Sequence, residues 1–387
     1  MHCSDTHLDK SFNIPNLSRA AERKEDLNRN FTSIVDYAVK NKPDLFLISG
    51  DVFDKILPTN SARVYLTKEI RRLKDKAIDV FMIGGNHEVP RFGISPSLAI
   101  DVLGSAGIAT VFSRSDAIQK KKLNIHGKKV IVAGRSYYTQ FESANPLKNV
   151  EIPVEGDFNI LMIHGSLQGL EVSSSVLEMV NQNPFKADDI KSGLNYLALG
   201  HFHNFFEREY LGCKIVNPGS IEKLSIAEIN DEKGFVWAEV SKSEVKTNFI
   251  KLKTRPMETA ELTLSKDENY VPNIREFILD FLSKLSKPNK ILKVSLRGLI
   301  SQQQYGELKI NELLAASKDL FFQLLVDRQD LEVQGYGRIF LERIDNPVEA
   351  FTKRLEAMMA QIPADDPDQA LLEQVKSLGV KYLETVQ

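Results

Sequence analysis

Five short stretches of this chain carry side chains able to bind metals or move protons. In order they are Asp5-x-His7, Gly50-Asp51, Gly85-Asn86-His87, His164-Gly165 and Gly200-His201-x-His203. Five of the seven histidines fall within them. A mixed set of carboxylate, imidazole and amide donors suits Mn²⁺, Fe²⁺ or Zn²⁺ better than Mg²⁺ or Ca²⁺, which prefer oxygen alone. Alternate residues of a strand share a face, so Asp5 and His7 can aim at one point, as can His201 and His203. A single carboxylate, Asp51, can bridge two ions roughly 3.5–4 Å apart, an arrangement that clamps a phosphate and generates hydroxide near neutral pH. Glycines beside the candidate ligands let the backbone approach closely.

Taken singly, each piece has a plainer reading. Asp5-x-His7 is a common structural pair, and Gly50-Asp51 after a strand is often a turn. Asn86-His87 after two glycines suits a turn with left-handed geometry. His164 reads as a satisfied core histidine, and His201 with His203 as a surface accident. Their conjunction at the ends of apolar runs favours one shared pocket over five accidents.

The elements that must position these residues are visible as apolar runs. Leu45-Phe46-Leu47-Ile48 leads into Ser49-Gly50-Asp51, and Val80-Phe81-Met82-Ile83 into Gly84-Gly85-Asn86-His87. Ile160-Leu161-Met162-Ile163 leads into His164, and Tyr196-Leu197-Ala198-Leu199 into Gly200. Continuous apolar runs of this length predict strands buried on both faces. Helical spacing covers 24–40, with Leu27, Phe31, Ile34 and Ala38 on one face, and 61–73. Strand and helix alternate, so the expected fold class is a layered α/β domain with its site at the carboxyl ends of the strands. That domain is expected over 1–242, closing with a strand at 234–240. A small α+β unit is expected over 255–335, with strands near 261–264, 291–296 and 320–326, the last one, and helices near 273–285 and 310–316. A helical tail follows over 345–387. Val348, Phe351, Leu355, Met359 and Ile362 form one helical face; Pro363 and Pro367 interrupt it. Leu371, Val375, Leu378 and Tyr382 form a heptad-like seam on a second helix.

Composition sets outer limits. With 42% apolar and 26% charged residues, the chain reads as a soluble globular protein. No apolar run is long enough to cross a membrane, and the opening residues do not form a secretion signal. Only Met1 to Ser4 precede Asp5, whereas strands average about 5–6 residues, so the start codon is expected to lie a few residues upstream. The two cysteines, Cys3 and Cys213, argue against a disulfide scaffold or a structural zinc site and for a cytoplasmic location. A net charge of −2 means that any nucleic-acid contact relies on a local basic surface or on a partner. Lys10, Arg19, Arg23, Lys24, Lys55, Arg63 and Arg91 lie near the motif loops and could meet phosphates, although each reads first as a solvated surface charge. Lys120, Lys121 and Lys122 with Lys128 and Lys129 read first as the wet face of a hairpin.

The motif set resembles the calcineurin-like metallophosphoesterases, whose pattern is D-x-H, G-D-x-x-D/H, G-N-H-D/E, a later G-H or H-G, and G-H-x-H. The match spans residues 5 to 203. His2-Cys3-Ser4-Asp5-Thr6-His7-Leu8, Gly50-Asp51-Val52-Phe53-Asp54, Asn217-Pro218-Gly219-Ser220-Ile221-Glu222-Lys223 and Glu232-Lys233-Gly234-Phe235 are similar to SbcD and the meiotic-recombination-eleven nucleases. The resemblance implies a layered metallophosphoesterase sandwich with a small α+β capping, DNA-binding domain and a C-terminal helical tail. It implies one metal held by Asp5, His7, Asp51 and His203, and a second by Asp51, Asn86, His164 and His201, with Mn²⁺ the favoured ion. His87 is then no ligand; it faces the phosphate, stabilises the transition state and serves as acid toward the leaving oxygen.

The implied activity is a DNA exo/endonuclease acting at ends or hairpins, through backbone contacts that are salt-sensitive and blind to sequence. The implied partners are DNA, an SbcC-like coiled-coil ATPase gripped by the tail in a helix-in-groove mode, and a second copy of the chain; no membrane is involved. Two departures stand out. Glu88 follows His87 where aspartate is more usual, placing a longer carboxylate where it could orient His87. Asp54 stands where some members carry a second catalytic histidine, so it is expected to orient ligands rather than transfer protons. The competing readings are another metallophosphoesterase, acting on a nucleotide, a phosphoprotein or a lipid precursor, and a non-catalytic scaffold. Lys55-Ile56 after Asp54 departs from the D-R-G of protein phosphatases. A scaffold would bury imidazoles and carboxylates at a cost with nothing to offset it.

Overall fold

A computed structural model describes residues 1–89, 97–137, 145–169, 182–241, 244–266, 273–335, 337–338, 347–359 and 367–386. The four apolar runs become strands β2 (Leu45–Ser49), β3 (Asp79–Ile83), β7 (Phe158–His164) and β10 (Tyr196–Gly200), and the sequence between them supplies their neighbours. One six-stranded sheet runs β14 (Glu244–Lys251), β13 (Gly234–Ser241), β1 (His2–Cys3), β2, β3, β4 (Thr110–Phe112). The other runs β11 (Phe206–Tyr210), β12 (Cys213–Asn217), β10, β7, β6 (Lys128–Arg135), β5 (Gln119–Ile125). A small pair, β8 (Ser166–Leu167) and β9 (Pro184–Phe185), lies apart. Within the sheets β1 through β4 are mutually parallel, as are β6, β7, β10 and β12.

The two sheets pack face to face. Leu47, Phe81, Ile83 and Val236 of the first meet Val132, Ile160, Met162 and Ala198 of the second in one buried cluster. The outer face of the first sheet is covered by α1 (Leu17–Asn41), α2 (Asn60–Lys74) and α3 (Asp101–Ser105), through Leu27, Phe31, Ile34, Leu66 and Ile70. The result is the expected α/β sandwich. β1 has two residues, held between β2 and β13, and Met1 donates from its amine to Leu45 O at 2.7 Å.

Several elements depart from the sequence pattern. α1 begins at Leu17, not near residue 24, because Asn16 caps it by accepting from Arg19 N. Its first turn carries the exposed Leu17, so no apolar stripe announces it. β14 extends the first sheet past the strand expected to close it, pairing with β13 from Gly234↔Lys251 to Ser241↔Glu244. β15 (Met257–Ser265), α4 (Ile274–Lys284), β16 (Lys287–Ile300), α6 (Ile310–Ala316) and β17 (Phe321–Asp327) match expected elements. α5 (Gln302–Leu308) was missed, although Ser301 and Gln304 form a capping box that marks it. β17 is not the last strand: β18 (Leu331–Val333) and β19 (Gly337–Arg338) follow.

The chain forms two compact units. The first comprises Met1–Ala260, Leu279–Val294 and Ile310–Leu325; the second comprises Glu261–Ile278, Ser295–Lys309 and Val326–Gln387. In the second, β18 pairs parallel with the end of β16, Gly298↔Leu331 to Ile300↔Val333. The tail helices α7 (Pro347–Met359) and α8 (Pro367–Val386) belong to it, joined by Lys376 to Glu356 at 2.7 Å. Leu371, Val375 and Leu378 of α8 are 58%, 41% and 70% exposed. Arg91, Lys242, Ile362, Pro363 and the Tyr382 side chain lie outside the described residues.

His2 is sealed between the sheets, with Nδ1 3.1 Å from the Tyr196 hydroxyl and Nε2 2.9 Å from Ser49 Oγ. Burial pushes its imidazole down from 6.5 to about 3. The unfolded chain therefore takes up a proton that the folded chain refuses. The stabilisation is complete above about pH 6.5 and is lost as the pH falls toward 3, by at most on the order of 5 kcal/mol. Urea midpoints measured between about pH 7 and pH 4 should fall less steeply for His2→Gln than for the unaltered protein. Parallel slopes would exclude His2 as a source of acid sensitivity.

Candidate metal centre

The five motifs converge at one edge of the sandwich, where strands of both sheets end. β1 delivers Asp5 and His7, β2 delivers Asp51 and β3 delivers Asn86 and His87; β7 and β10 deliver His164, His201 and His203. The backbone there is unusual. Asp5, His7, Asp51 and His201 have φ of 49°, 42°, 47° and 107°. A left-handed conformation in a residue with a side chain costs about 1–3 kcal/mol and persists only where neighbours fix it. Here Asp5 N donates to Gly50 O at 3.1 Å and His7 N to Asp51 O at 2.9 Å. His201 N donates to both Asp5 carboxylate oxygens, at 3.0 and 3.1 Å, and His87 N to Asp51 Oδ1 at 3.0 Å. Gly85 and Gly200 permit the approach: a Cβ on Gly85 would press into the Asp51 side chain, and one on Gly200 into Ser49 O.

The side chains form two groups sharing Asp51. His7 Nδ1 lies 3.0 Å from Asp54 Oδ1, and His203 Nδ1 lies 3.2 Å from Glu228 Oε1. Ionised carboxylates only accept, so both Nδ1 atoms donate and both Nε2 atoms of the neutral rings present lone pairs. Those two Nε2 atoms face each other at 3.1 Å, with an Asp5 oxygen in the same cluster. In the second group His164 Nδ1 donates to Ser49 O at 2.8 Å, aiming Nε2 at Asn86 Oδ1, 3.0 Å away. His201 Nδ1 also lies 3.1 Å from Asn86 Oδ1. Asp51 Oδ2 stands between the groups, 3.7 Å from His7 Nε2 and 3.5 Å from His164 Nε2. Across the His7–His203 pair, acceptor faces acceptor, which is repulsive unless a cation lies between. This donor set fits two divalent ions flanking Asp51, with carboxylates behind two of the imidazoles.

Protonation follows the same layout. Burial holds His7 below the usual histidine range, which favours the neutral ring. Burial also opposes charge on His164, but the adjacent Asp51 carboxylate outweighs it and lifts His164 to about 9. Any cation at His164 Nε2 would therefore compete with a proton for that lone pair. Burial, reinforced by the Asp51 charge, pushes Glu88 up to about 8.

His87 is placed differently from the seven other candidates. Its side chain is 36% exposed, its Nδ1 donates to Asp54 O at 3.2 Å, and its Nε2 is 3.9 Å from Asp51 Oδ2. The group can thus present Nε2 toward anything seated over the pocket.

Three sequence expectations change. Glu88 does not orient the His87 ring. It is 1% exposed, and its two oxygens accept from Phe53 N at 2.9 Å and Gly85 N at 3.2 Å, tying the loop after β2 to the loop after β3. Arg23 is buried against Asp26 and Glu222, so it braces α1 rather than facing solvent phosphate. Arg19 donates to the carbonyls of Lys318, Phe321 and Phe322 and is likewise structural. Lys10, by contrast, holds Asp54 at 2.8 Å, and Lys24 and Lys55 reach Asp9 at 3.3 Å, all partly exposed. Lys120 and Lys122 sit on the β5–β6 hairpin and pair with Glu155. Sequence reading gave no role to Glu228. It sits in a three-residue turn, Ile226–Glu228, whose spacing carries no signal.

A family model described as calcineurin-like phosphoesterase matches residues 1–205, the stretch that carries all five motifs. The chain belongs to this family, whose members are metal-dependent hydrolases with two divalent ions. Over 314 residues it is 30% identical to a Thermoplasma acidophilum protein named DNA double-strand break repair protein Mre11, covering 78% of each chain. A protein of the same name from Sulfolobus acidocaldarius is 26% identical over 309 residues, 78% of this chain and 75% of that one. The uncharacterized metallophosphoesterase YhaO of Bacillus subtilis is 26% identical over 358 residues, 90% of this chain and 81% of its own. Among the described residues no helix is long and apolar enough to cross a membrane.

Proposed function

We propose that this phosphoesterase is a DNA exo/endonuclease of the SbcD and Mre11 type, cutting phosphodiester bonds at DNA ends. The observation that carries the reading is the facing pair of His7 and His203 lone pairs beside the shared Asp51, on a chain resembling proteins named for DNA break repair. Asp5, His7, Asp51 and His203 would hold one ion, and Asp51, Asn86, His164 and His201 the other. Two bound divalent ions, Mn²⁺ in this reading, supply Lewis acidity and a hydroxide near neutral pH. Asp54 and Ser49 O fix the tautomers of His7 and His164, so that Nε2 points inward. His87, partly exposed above the pocket, would pass a proton from Nε2 to the departing oxygen when the ring carries protons on both nitrogens, its Nδ1–H being held by the Asp54 carbonyl. Lys10, Lys24 and Lys55, held by carboxylates next to the His7 loop, would meet backbone phosphates.

Residues 255–335 would act as the capping, DNA-binding region. The exposed Leu371, Val375 and Leu378 seam of α8 suits a groove on the coiled coil of an SbcC-like ATPase. Ile56, Leu57, Val64 and Val102, exposed around α2 and α3, suit pairing with a second copy. Buried free Cys3 and Cys213 accord with a cytoplasmic setting.

A second reading, a phosphoesterase for nucleotides or phosphoproteins, draws on the net charge of −2 and on a relative named only as a metallophosphoesterase. One assay separates the readings. Linear duplex DNA should be degraded with Mn²⁺ and left intact with a chelator, and cleavage should weaken steeply as salt is raised. Phosphate release from phosphomonoesters without DNA cleavage would support the second reading. Protein that takes up no metal from Mn²⁺ solution would sink both.

A further inference from the structure

The geometry points to Glu228, seated by Lys233, as the positioning residue that fixes His203 and makes the Asp5–His7–His203 position the tighter of the two cation positions. This rests on the metal-centre reading above.

Glu228 is 5% exposed and surrounded by donors. Oε1 lies 3.2 Å from His203 Nδ1 and 3.4 Å from Ser225 Oγ. Oε2 accepts from Lys233 Nζ at 2.7 Å, Leu224 N at 3.2 Å and Ser220 Oγ at 3.5 Å. Lys233 is itself buried, and its ammonium also donates to the His203 carbonyl at 2.8 Å and lies 3.3 Å from Asp231. Ser220 N donates to the same carbonyl at 3.0 Å. His203 is thus held twice, by its ring through Glu228 and by its backbone through Lys233 and Ser220. Its Nε2 has one direction available, toward His7.

The charge pattern sets the order of the two positions. An imidazole that donates Nδ1–H to a carboxylate becomes a more basic ligand than one donating to a neutral carbonyl. His7 and His203 are backed by Asp54 and Glu228, whereas His164 is backed by Ser49 O. The Asp5 carboxylate groups with His7 and His203 and also with Asp51 and His164, so it does not separate the positions; the second adds only the neutral Asn86 amide. The carboxylates behind both imidazoles of the first position therefore favour it.

Mn²⁺ titrated into the full-length protein, followed by calorimetry and by the paramagnetic resonance of the bound ion, should show two events of unequal affinity. Glu228→Gln keeps the shape and removes the charge. It should weaken the tighter event by roughly 10- to 100-fold and leave the looser one nearly unchanged. Equal weakening of both events, or of neither, would overturn the assignment. A wild-type protein that binds no Mn²⁺ would instead defeat the metal-centre reading itself. Should the variant not fold, the unaltered protein loaded with diamagnetic Zn²⁺ still decides. Nitrogen-15 spectra must show His203 carrying its proton on Nδ1, and a proton on Nε2 would rule the arrangement out.

Discussion

Alanine at His87 is expected to lower phosphodiester cleavage by roughly 100- to 10,000-fold while both metal positions stay filled. The separation of the two effects follows from which His87 atoms do what. The backbone N–H holds Asp51 Oδ1 at 3.0 Å, and alanine keeps that bond. The ring packs edge to face on His7, with ring centroids 4.8 Å apart, but His7 Nδ1 is fixed by Asp54 without it. Its Nδ1 donates to the Asp54 carbonyl and its partly exposed Nε2 remains for a proton transfer. Metal content by mass spectrometry, measured beside the turnover rate, checks both halves. Loss of metal together with activity would turn His87 into a ligand and revise the proposed chemistry.

Asn at Asp51 should have the opposite signature, with metal and activity vanishing together. Asp51 Oδ2 stands 3.5 Å from His164 Nε2 and 3.7 Å from His7 Nε2. An amide nitrogen placed there would donate to those lone pairs and occupy them. A trap for cations becomes a closed set of hydrogen bonds, in a protein that still folds. Metal ions contribute several kcal/mol to such reactions, so at 1.4 kcal/mol per tenfold the loss of rate is on the order of a thousandfold or more. In the metal-free protein the substitution also removes the charge that lifts His164 to about 9, so its titration should move down. Retention of two ions in Asp51→Asn would remove Asp51 from the bridging position.

Much of the fold and the site is legible in the amino-acid sequence. The strands that carry Asp51, Asn86, His164 and His201 are uninterrupted apolar runs, and burial on both faces leaves no alternation to confuse the reading. The donors lie at the carboxyl ends of parallel strands, where an open α/β sheet gathers its site. Residues whose importance lies in what stands behind them were less legible. Glu228 reaches His203 from a short turn, and Glu88 clamps two loops that are distant in sequence. Neither role has a spacing, since each depends on where separate segments happen to meet. The basic residues misled for a similar reason: Arg19 and Arg23 read as surface charge, yet carbonyls and carboxylates from far along the chain enclose them. The first two turns of α1 escaped because they bury little apolar surface, and helix propensity alone is a weak signal.

The donors also divide unevenly between the two sheets. Asp5, His7, Asp51 and Asn86 descend from one sheet, and His164, His201 and His203 from the other. Each ion would therefore be a rivet through both leaves of the sandwich, and neither leaf could peel away without first surrendering its metal. Folding and loading share one free-energy account in such a design: every tenfold rise in free metal beyond saturation tightens the rivet by about 1.4 kcal/mol per ion. The durability of this protein would then be set partly by the trace-metal supply around it, not by its sequence alone.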